Sequence, residues 1–127
     1  MKKLVLCCGS ESKGDSLAFG LCDALKKKLK RFDFAKCSDV FEMVDYLQGR
    51  ETIIVDVVKD LKKTRLFKGA GEFAKTKTVT VHELDICSLL KMLEASEKKQ
   101  FAIIGVPFGL EKTKAVKAVE QILTSLP

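Results

Sequence analysis

The feature that most constrains the fold of this chain is an alternation of two hydrophobic patterns. Short, solid apolar runs rich in Val and Ile are typical of strands that are buried on both faces. Segments with apolar residues three or four positions apart separate these runs and predict amphipathic helices. The alternation predicts an α/β protein, a three-layer αβα sandwich around a mainly parallel sheet of about five strands. We expect the strands at residues 4–8, 33–37, 52–58, 77–81 and 101–106.

The helical periods begin near residues 17, 40, 82 and 116. The second helix has Asp39 and Glu42 at the spacing of a capping box. No linker rich in proline or serine and no internal repeat interrupts the pattern, so we expect a single domain over residues 1–127. The strand at 77–81 is the one expected to run antiparallel, because the segment before it lacks a clear helical crossover.

Composition narrows the classes of function. The net charge of +6 could suit nucleic acid or an acidic partner. The lysines, however, are spread along helix backs without the interleaved aromatic residues that stack on bases, so we expect no nucleic acid. The apolar runs are too short to cross a bilayer, so we expect no membrane. Five cysteines without CxxC spacing predict buried free thiols in the reducing cytoplasm.

The loop after the first strand, GSESKGDS (residues 9–16), has almost the spacing of a phosphate-binding P-loop. Asp15 stands where that loop needs lysine, and its negative charge would repel a phosphate. A cap for the following helix explains Asp15 or Ser16 equally well. The loop therefore predicts either a simple helix cap or a site for a cation or a proton at the carboxyl end of the first strand.

Two further residues are predicted at the same edge of the sheet. Asp56 interrupts the run TIIVDVV, where an ionised carboxylate is costly to bury without compensation. His82 is the only histidine and begins a helix directly after a predicted strand. Each has an ordinary structural explanation: a buried aspartate that accepts backbone N–H groups, and a capping histidine. Together with Asp15 they make a set of carboxylate and imidazole groups that suits nickel, zinc or iron.

Residues 59–75 (KDLKKTRLFKGAGEFAK) form a basic stretch without a packing pattern. Gly69 and Gly71 suggest a flexible turn. We interpret the stretch either as a solvated hairpin or as a surface that binds a partner through Lys62, Lys63 and Arg65.

The order of these motifs resembles the hydrogenase maturation proteases, which trim the C-terminal extension of a nickel-iron hydrogenase large subunit. The first strand and loop LVLCCGSESKGDSLAFG resemble the opening motif of that family. The segment IIVDVV resembles its second acidic motif, VTVHELDICSLLKML its histidine motif, and FAIIGVPFGLE its late strand. The resemblance covers nearly the whole chain.

The resemblance implies an endopeptidase of about the same architecture. Asp56 and His82 would be its catalytic residues, and Asp15, Asp56 and His82 would bind nickel that arrives mainly with the substrate. Gly9 and Ser16 would line the pocket. The implied partner is the precursor of a hydrogenase large subunit, and we expect a cytoplasmic monomer.

The chain departs from the family motif at the first ligand. Ser16 occupies the position of an acidic residue, and a serine hydroxyl is a weaker ligand than a carboxylate. Three interpretations remain open. The chain is a divergent working protease, a non-catalytic relative that binds or assembles a hydrogenase-like subunit, or an unrelated α/β ligand-binding domain.

Overall fold

The computed structural model describes residues 2–9, 16–59, 61–75 and 81–126, with all side chains in those ranges except those of residues 16, 40 and 81–86. The strands are β1 (Lys3–Cys8), β2 (Phe32–Cys37), β3 (Thr52–Val58), β4 (Arg65–Lys68) and β5 (Ala102–Pro107). The helices are α1 (Ser16–Lys28), α2 (Val40–Leu47), α3 (Ala70–Ala74), α4 (Val81–Glu97) and α5 (Lys112–Ser125).

The five strands form one sheet in the order β2-β1-β3-β5-β4. The first four strands in this order are parallel, and β4 is antiparallel to β5. Two hydrophobic clusters cover the two faces: α1 and α5 pack on one face, and α2, α3 and α4 pack on the other. The predicted three-layer α/β architecture is confirmed.

The strands are buried because they are apolar on both faces, as the sequence pattern predicts. All seven residues of β3 are buried, and alternate residues of this strand enter the two clusters. Local signals set the ends of the neighbouring helices. Asp39 caps α2 by accepting a hydrogen bond from the Phe41 N–H at 2.9 Å, and three lysines at the end of α1 favour its negative pole.

The prediction for the antiparallel strand is wrong. The reversed strand is β4, and Val81 of the predicted strand 77–81 begins α4, while residues 76–80 lie outside the described ranges. The prediction that residues 59–75 lack a packing pattern is also wrong. Phe67 of β4 and Phe73 of α3 are fully buried, with their rings edge to face at a centroid distance of 5.3 Å. Four residues are enough for an edge strand here because its one buried aromatic side chain joins an existing cluster.

Candidate active site

The path of the chain reverses beside Asp56. From β1 the chain moves outward to β2, then returns across β1 to β3 on its other side. The connections through α1 and α2 lie on opposite faces of the sheet. Ligands of open α/β sheets bind outside the carboxyl ends of the strands at such a reversal. The expected binding region therefore lies at the carboxyl ends of β1 and β3.

Asp56 lies at this reversal. It is on the central strand β3 with only 4% of its surface exposed. Its register partners are Cys8 on β1 and Gly105 on β5. Cys8 is in turn opposite Cys37 of β2, so one row across the sheet reads Cys37, Cys8, Asp56, Gly105. Side chains in register on parallel strands share a face, which here is the face covered by α2, α3 and α4.

The two cysteines in this row are buried thiols. A hydrogen bond with Cys37, burial and the nearby charge of Asp56 raise the pKa of the Cys8 thiol well above its usual value. The same hydrogen bond lowers the pKa of Cys37, whose Sγ also donates to the Asp39 carbonyl oxygen at 3.2 Å. Both side chains are about 2% exposed. A nucleophilic cysteine must be reachable by substrate, so neither residue suits that role.

All five cysteines are buried and none forms a disulfide bond, as predicted. The pairing of Cys8 and Cys37 beside Asp56 was missed by reasoning from the sequence. The available signal was that both cysteines end a predicted strand, as Asp56 nearly does, so all three approach the same edge of the sheet.

Gly105 allows the core to close beside Asp56. A Cβ atom at this position would lie 2.9 Å from Cε2 of Phe67 and 3.1 Å from Cδ2 of Leu61. Phe67 belongs to the buried cluster on the face of Asp56, and the partly buried Leu61 packs against that cluster. Glycine is therefore required here for the approach of the Phe67 ring to the central strands, and not for an unusual backbone angle.

The helix that carries His82 reaches the same edge. Because α4 precedes the parallel strand β5, its last residues lie near the amino end of that strand and its first residues near the carboxyl edge. A helix of 17 residues is about 25 Å long and spans a six-residue strand of about 20 Å. The later part of α4 packs on the face of Asp56 through Cys87, Leu90 and Leu93. The side chain of His82 is not among those described.

The remaining predicted site residues divide into two groups. Gly9 is buried, and its N–H donates to the Cys37 carbonyl oxygen at 3.0 Å, while Ser16 is the first residue of α1. Both thus flank the loop at the carboxyl end of β1. Asp15 lies outside the described residues.

The residues predicted to bind a partner are also at this edge. Lys62 and Lys63 are exposed between the end of β3 and the start of β4. Arg65 makes contacts that the sequence did not predict. Its Nη2 atom lies 3.4 Å from Oε1 of Glu72, and its Cζ atom lies 4.4 Å from the centroid of the Phe67 ring. Arg65 therefore contributes to the packing of β4 as well as to the surface charge.

Phe108 is an exposed aromatic residue that the sequence reasoning did not single out. Its N–H donates to the Val58 carbonyl oxygen at 3.0 Å, which holds the loop after β5 against the end of β3. Half of its surface is exposed, and the Lys59 ammonium lies 6.0 Å from the ring centroid. Its place directly after β5, in the run VPFG, was the available signal.

Carboxylate and imidazole groups suit a divalent transition metal, so the chemistry of Asp56 and His82 is compatible with nickel. Among the residues whose side chains are described, no group of three or more His, Cys, Asp or Glu residues is placed to hold a metal ion. None of the described helices is both long and apolar enough to span a membrane.

The fold is that of hydrogenase maturation proteases. The chain is similar to [NiFe] hydrogenase maturation protease HybD from Thermococcus kodakarensis, with a TM-score of 0.67, 24% identity and coverage of 96% of this chain and 99% of that chain. It is also similar to the hydrogenase maturating endopeptidase HybD from E. coli, with a TM-score of 0.71, 20% identity and coverage of 99% and 92%. No family model and no curated protein sequence matches the chain.

Proposed function

We propose that this chain, which has the fold of the HybD proteases, is an endopeptidase that removes the C-terminal extension of a nickel-iron hydrogenase large subunit. The observation that carries the proposal is the buried carboxylate of Asp56 at the reversal between β1 and β3. Burying a carboxylate in such a strand costs free energy unless a partner compensates for it. Asp56 also lies where ligands of this class of fold bind. The position of Asp56 thus has a functional explanation in addition to a structural one.

In this proposal nickel is part of the substrate and not a resident cofactor. Asp56 and His82 bind the nickel that the precursor carries, and Asp15 or Ser16 approaches it from the loop after β1. A divalent ion can polarise a carbonyl group or lower the pKa of a bound water. The role of the protein is to hold the cleavage point against that ion. The exposed ring of Phe108 and the ammonium groups of Lys62 and Lys63 supply contacts for the precursor at the carboxyl edge of the sheet.

A second candidate is a non-catalytic factor that binds or assembles a hydrogenase-like subunit. The presence of Ser16 at the position of an acidic ligand favours it, because the loss of one carboxylate weakens the binding of a cation. The two candidates share the partner and differ in whether the precursor is shortened.

Co-expression with a hydrogenase large-subunit precursor distinguishes them. Mass spectrometry of the precursor should show loss of its C-terminal extension with the wild-type chain, and only when nickel has been supplied. Asp56→Asn and His82→Gln should reduce processing by about 100-fold or more, on the scale of the loss of one catalytic group. Asp45→Asn removes an exposed carboxylate from α2 and should leave processing unchanged.

Circular dichroism and thermal unfolding of each variant serve as the control for folding. Co-purification of an unshortened precursor with a wild-type chain would support the binding factor instead. Full processing by both site variants would show that Asp56 and His82 have structural roles, and would contradict the proposed protease site.

A further inference from the structure

Among the described residues, the outer edge of β2 is open to another extended chain. β2 is the terminal strand of the sheet, and within the described ranges no strand pairs with its outer edge. The Cys37 carbonyl accepts from the Gly9 N–H and therefore points toward β1. Because the N–H and C=O groups of successive residues point to alternate sides of a strand, those of Phe34 and Lys36 point away from β1. Such a row of donors and acceptors is a template for strand pairing.

A groove of about 420 Å³ follows this edge. Phe32 and Phe34 line it from the face covered by α1, and Ala35 lines it from the opposite face. Residues from both faces of a sheet can line one groove only where the sheet ends. The volume lies within the range of about 300–1,000 Å³ that is typical of ligand pockets.

The charge of the groove is positive. Four basic side chains line it, and the acidic side chain among its lining residues, Asp33, forms an ion pair with Arg50. Two of these four basic residues, Lys26 of α1 and Lys30 of the following turn, are exposed on the α1 side of the groove. A second copy of this chain paired along the same edge would bring two positive walls together, which charge repulsion disfavours.

We propose that the outer edge of β2 binds an extended acidic segment of a partner protein by strand addition. The N–H and C=O groups of Phe34 and Lys36 pair with the segment, and side chains on its two faces meet the partly exposed Phe34 ring and the basic walls. Main-chain pairing supplies affinity in this mode of recognition, and the side-chain contacts supply specificity. The basic residues at this edge oppose pairing with neutral or basic strands but not with an acidic one.

This surface is separate from the proposed site at Asp56. The lining residues of the groove lie along β2 and toward the amino ends of β1 and β2, whereas Asp56 lies toward the carboxyl end of β3. The proposal requires no cleavage of the bound segment. It therefore stands or fails independently of the proposed proteolytic activity.

The first test measures the binding of a fluorescent peptide of about nine alternating valine and glutamate residues, the length of an ordinary strand. Lys26→Glu combined with Lys30→Glu should weaken binding by about tenfold or more, which corresponds to about 1.4 kcal/mol. Lys114→Glu combined with Lys117→Glu applies the same change of charge to exposed positions on α5 and should leave the affinity within about twofold. Equal losses in the two double variants would overturn the proposal, because they would indicate attraction by net charge alone.

The second test examines strand pairing itself. The same peptide, methylated on the alternate amide nitrogens that face β2, should lose most of its affinity, and binding of the unmodified peptide should slow hydrogen exchange at the Phe34 and Lys36 amides. Unchanged exchange at both amides under saturating peptide would overturn strand addition. A single-stranded oligonucleotide of equal charge that binds as tightly as the peptide would replace the peptide partner with nucleic acid.

Discussion

At the scale of single residues, Gly105 shows how closely the core is packed beside the proposed site. The space for a Cβ atom is already occupied by the edge of the Phe67 ring and by a methyl group of Leu61. Phe67 is fully buried and Leu61 packs against the same cluster, so neither neighbour is the free end of a flexible surface side chain. An added methyl group must therefore displace a packed ring.

We predict that Gly105→Ala destabilises the protein by about 1–3 kcal/mol, the usual cost of overpacking a core. Urea unfolding followed by circular dichroism measures this change. Gly71→Ala is the matched control, because it adds the same methyl group in α3 with no atom within 4 Å. That substitution should stabilise the protein by about 0.4–1 kcal/mol through the unfolded chain. Equal stability of the two variants would mean that the Phe67 side of the core can relax.

The ion pair between Lys36 and Asp23 lies at the surface and contributes little to the free energy of unfolding. Lys36 of β2 lies 2.9 Å from Asp23 of α1, and this contact lowers the pKa of Asp23 and raises that of Lys36. Both shifts favour the folded state at neutral pH. The contribution of Asp23 is lost as the pH falls through its lowered pKa, and that of Lys36 as the pH rises through its raised pKa. Solvent screening keeps both contributions small.

At the scale of elements, Glu94 joins three parts of the chain. Its carboxylate, on α4, accepts hydrogen bonds from the Ala70 N–H at 3.1 Å and from the Phe101 N–H at 2.8 Å. Ala70 is the first residue of α3, whose preceding residue Gly69 provides no side-chain cap. The positive φ of Gly69, 92°, lets the chain turn from β4 into α3. Glu94 thus acts as a cap supplied by another helix.

We predict that Glu94→Ala lowers the free energy of unfolding by about 2–3 kcal/mol, because two partly buried N–H groups lose a charged acceptor. Glu94→Gln keeps an amide oxygen as acceptor and should lose less. Lys91→Ala, at an exposed position on the same helix, should change stability by no more than about 0.5 kcal/mol. Denaturant unfolding measures all three. A loss for Glu94→Ala no larger than that for Lys91→Ala would show that solvent replaces the carboxylate without cost.

At the scale of the whole molecule, basic side chains are present at both ends of the sheet. Lys62 and Lys63 are exposed at the carboxyl edge near Asp56, while Lys26 and Lys30 flank the groove along β2. The basic residues behind the net charge of +6 therefore include two separate surface groups, and a partner can bind to one of them without the other. Arg65 is a poor probe of either component, because it also packs over Phe67.

We predict that Lys62→Glu combined with Lys63→Glu slows association with an acidic precursor by roughly threefold to tenfold at low salt, because the attraction that guides encounter is reversed. The difference should shrink as ionic strength rises. Stopped-flow or surface-based kinetics measure the association rates. The exchange of Lys114 and Lys117 for glutamate is the control for net charge. A rate equal to that of this control at every salt concentration would remove Lys62 and Lys63 from the binding surface.

The sequence was sufficient for features that depend on local pattern. Solid apolar runs predicted four of the five strands, and the run TIIVDVV predicted that Asp56 is buried. Both follow because a strand covered on two faces has no position for a solvated side chain. The same reasoning from local pattern failed to predict the packing of residues 59–75. There the fully buried residues Phe67, Ala70 and Phe73 are divided between a short strand and a short helix, so they follow the period of neither.

Tertiary structure alone decided which distant residues became neighbours. The row of Cys37, Cys8, Asp56 and Gly105 depends on the register of four strands, and no local pattern sets the pairing of segments that are far apart in the chain. The identity of the antiparallel strand depended on the same pairing, since β4 is held by its ladder with β5 and by one buried ring. The sequence by itself thus determined four of the strands and the burial of Asp56 in one of them. Only the folded sheet decided which side chains lie beside Asp56, because that depends on contacts between distant segments, which stabilise the protein only once the chain has folded.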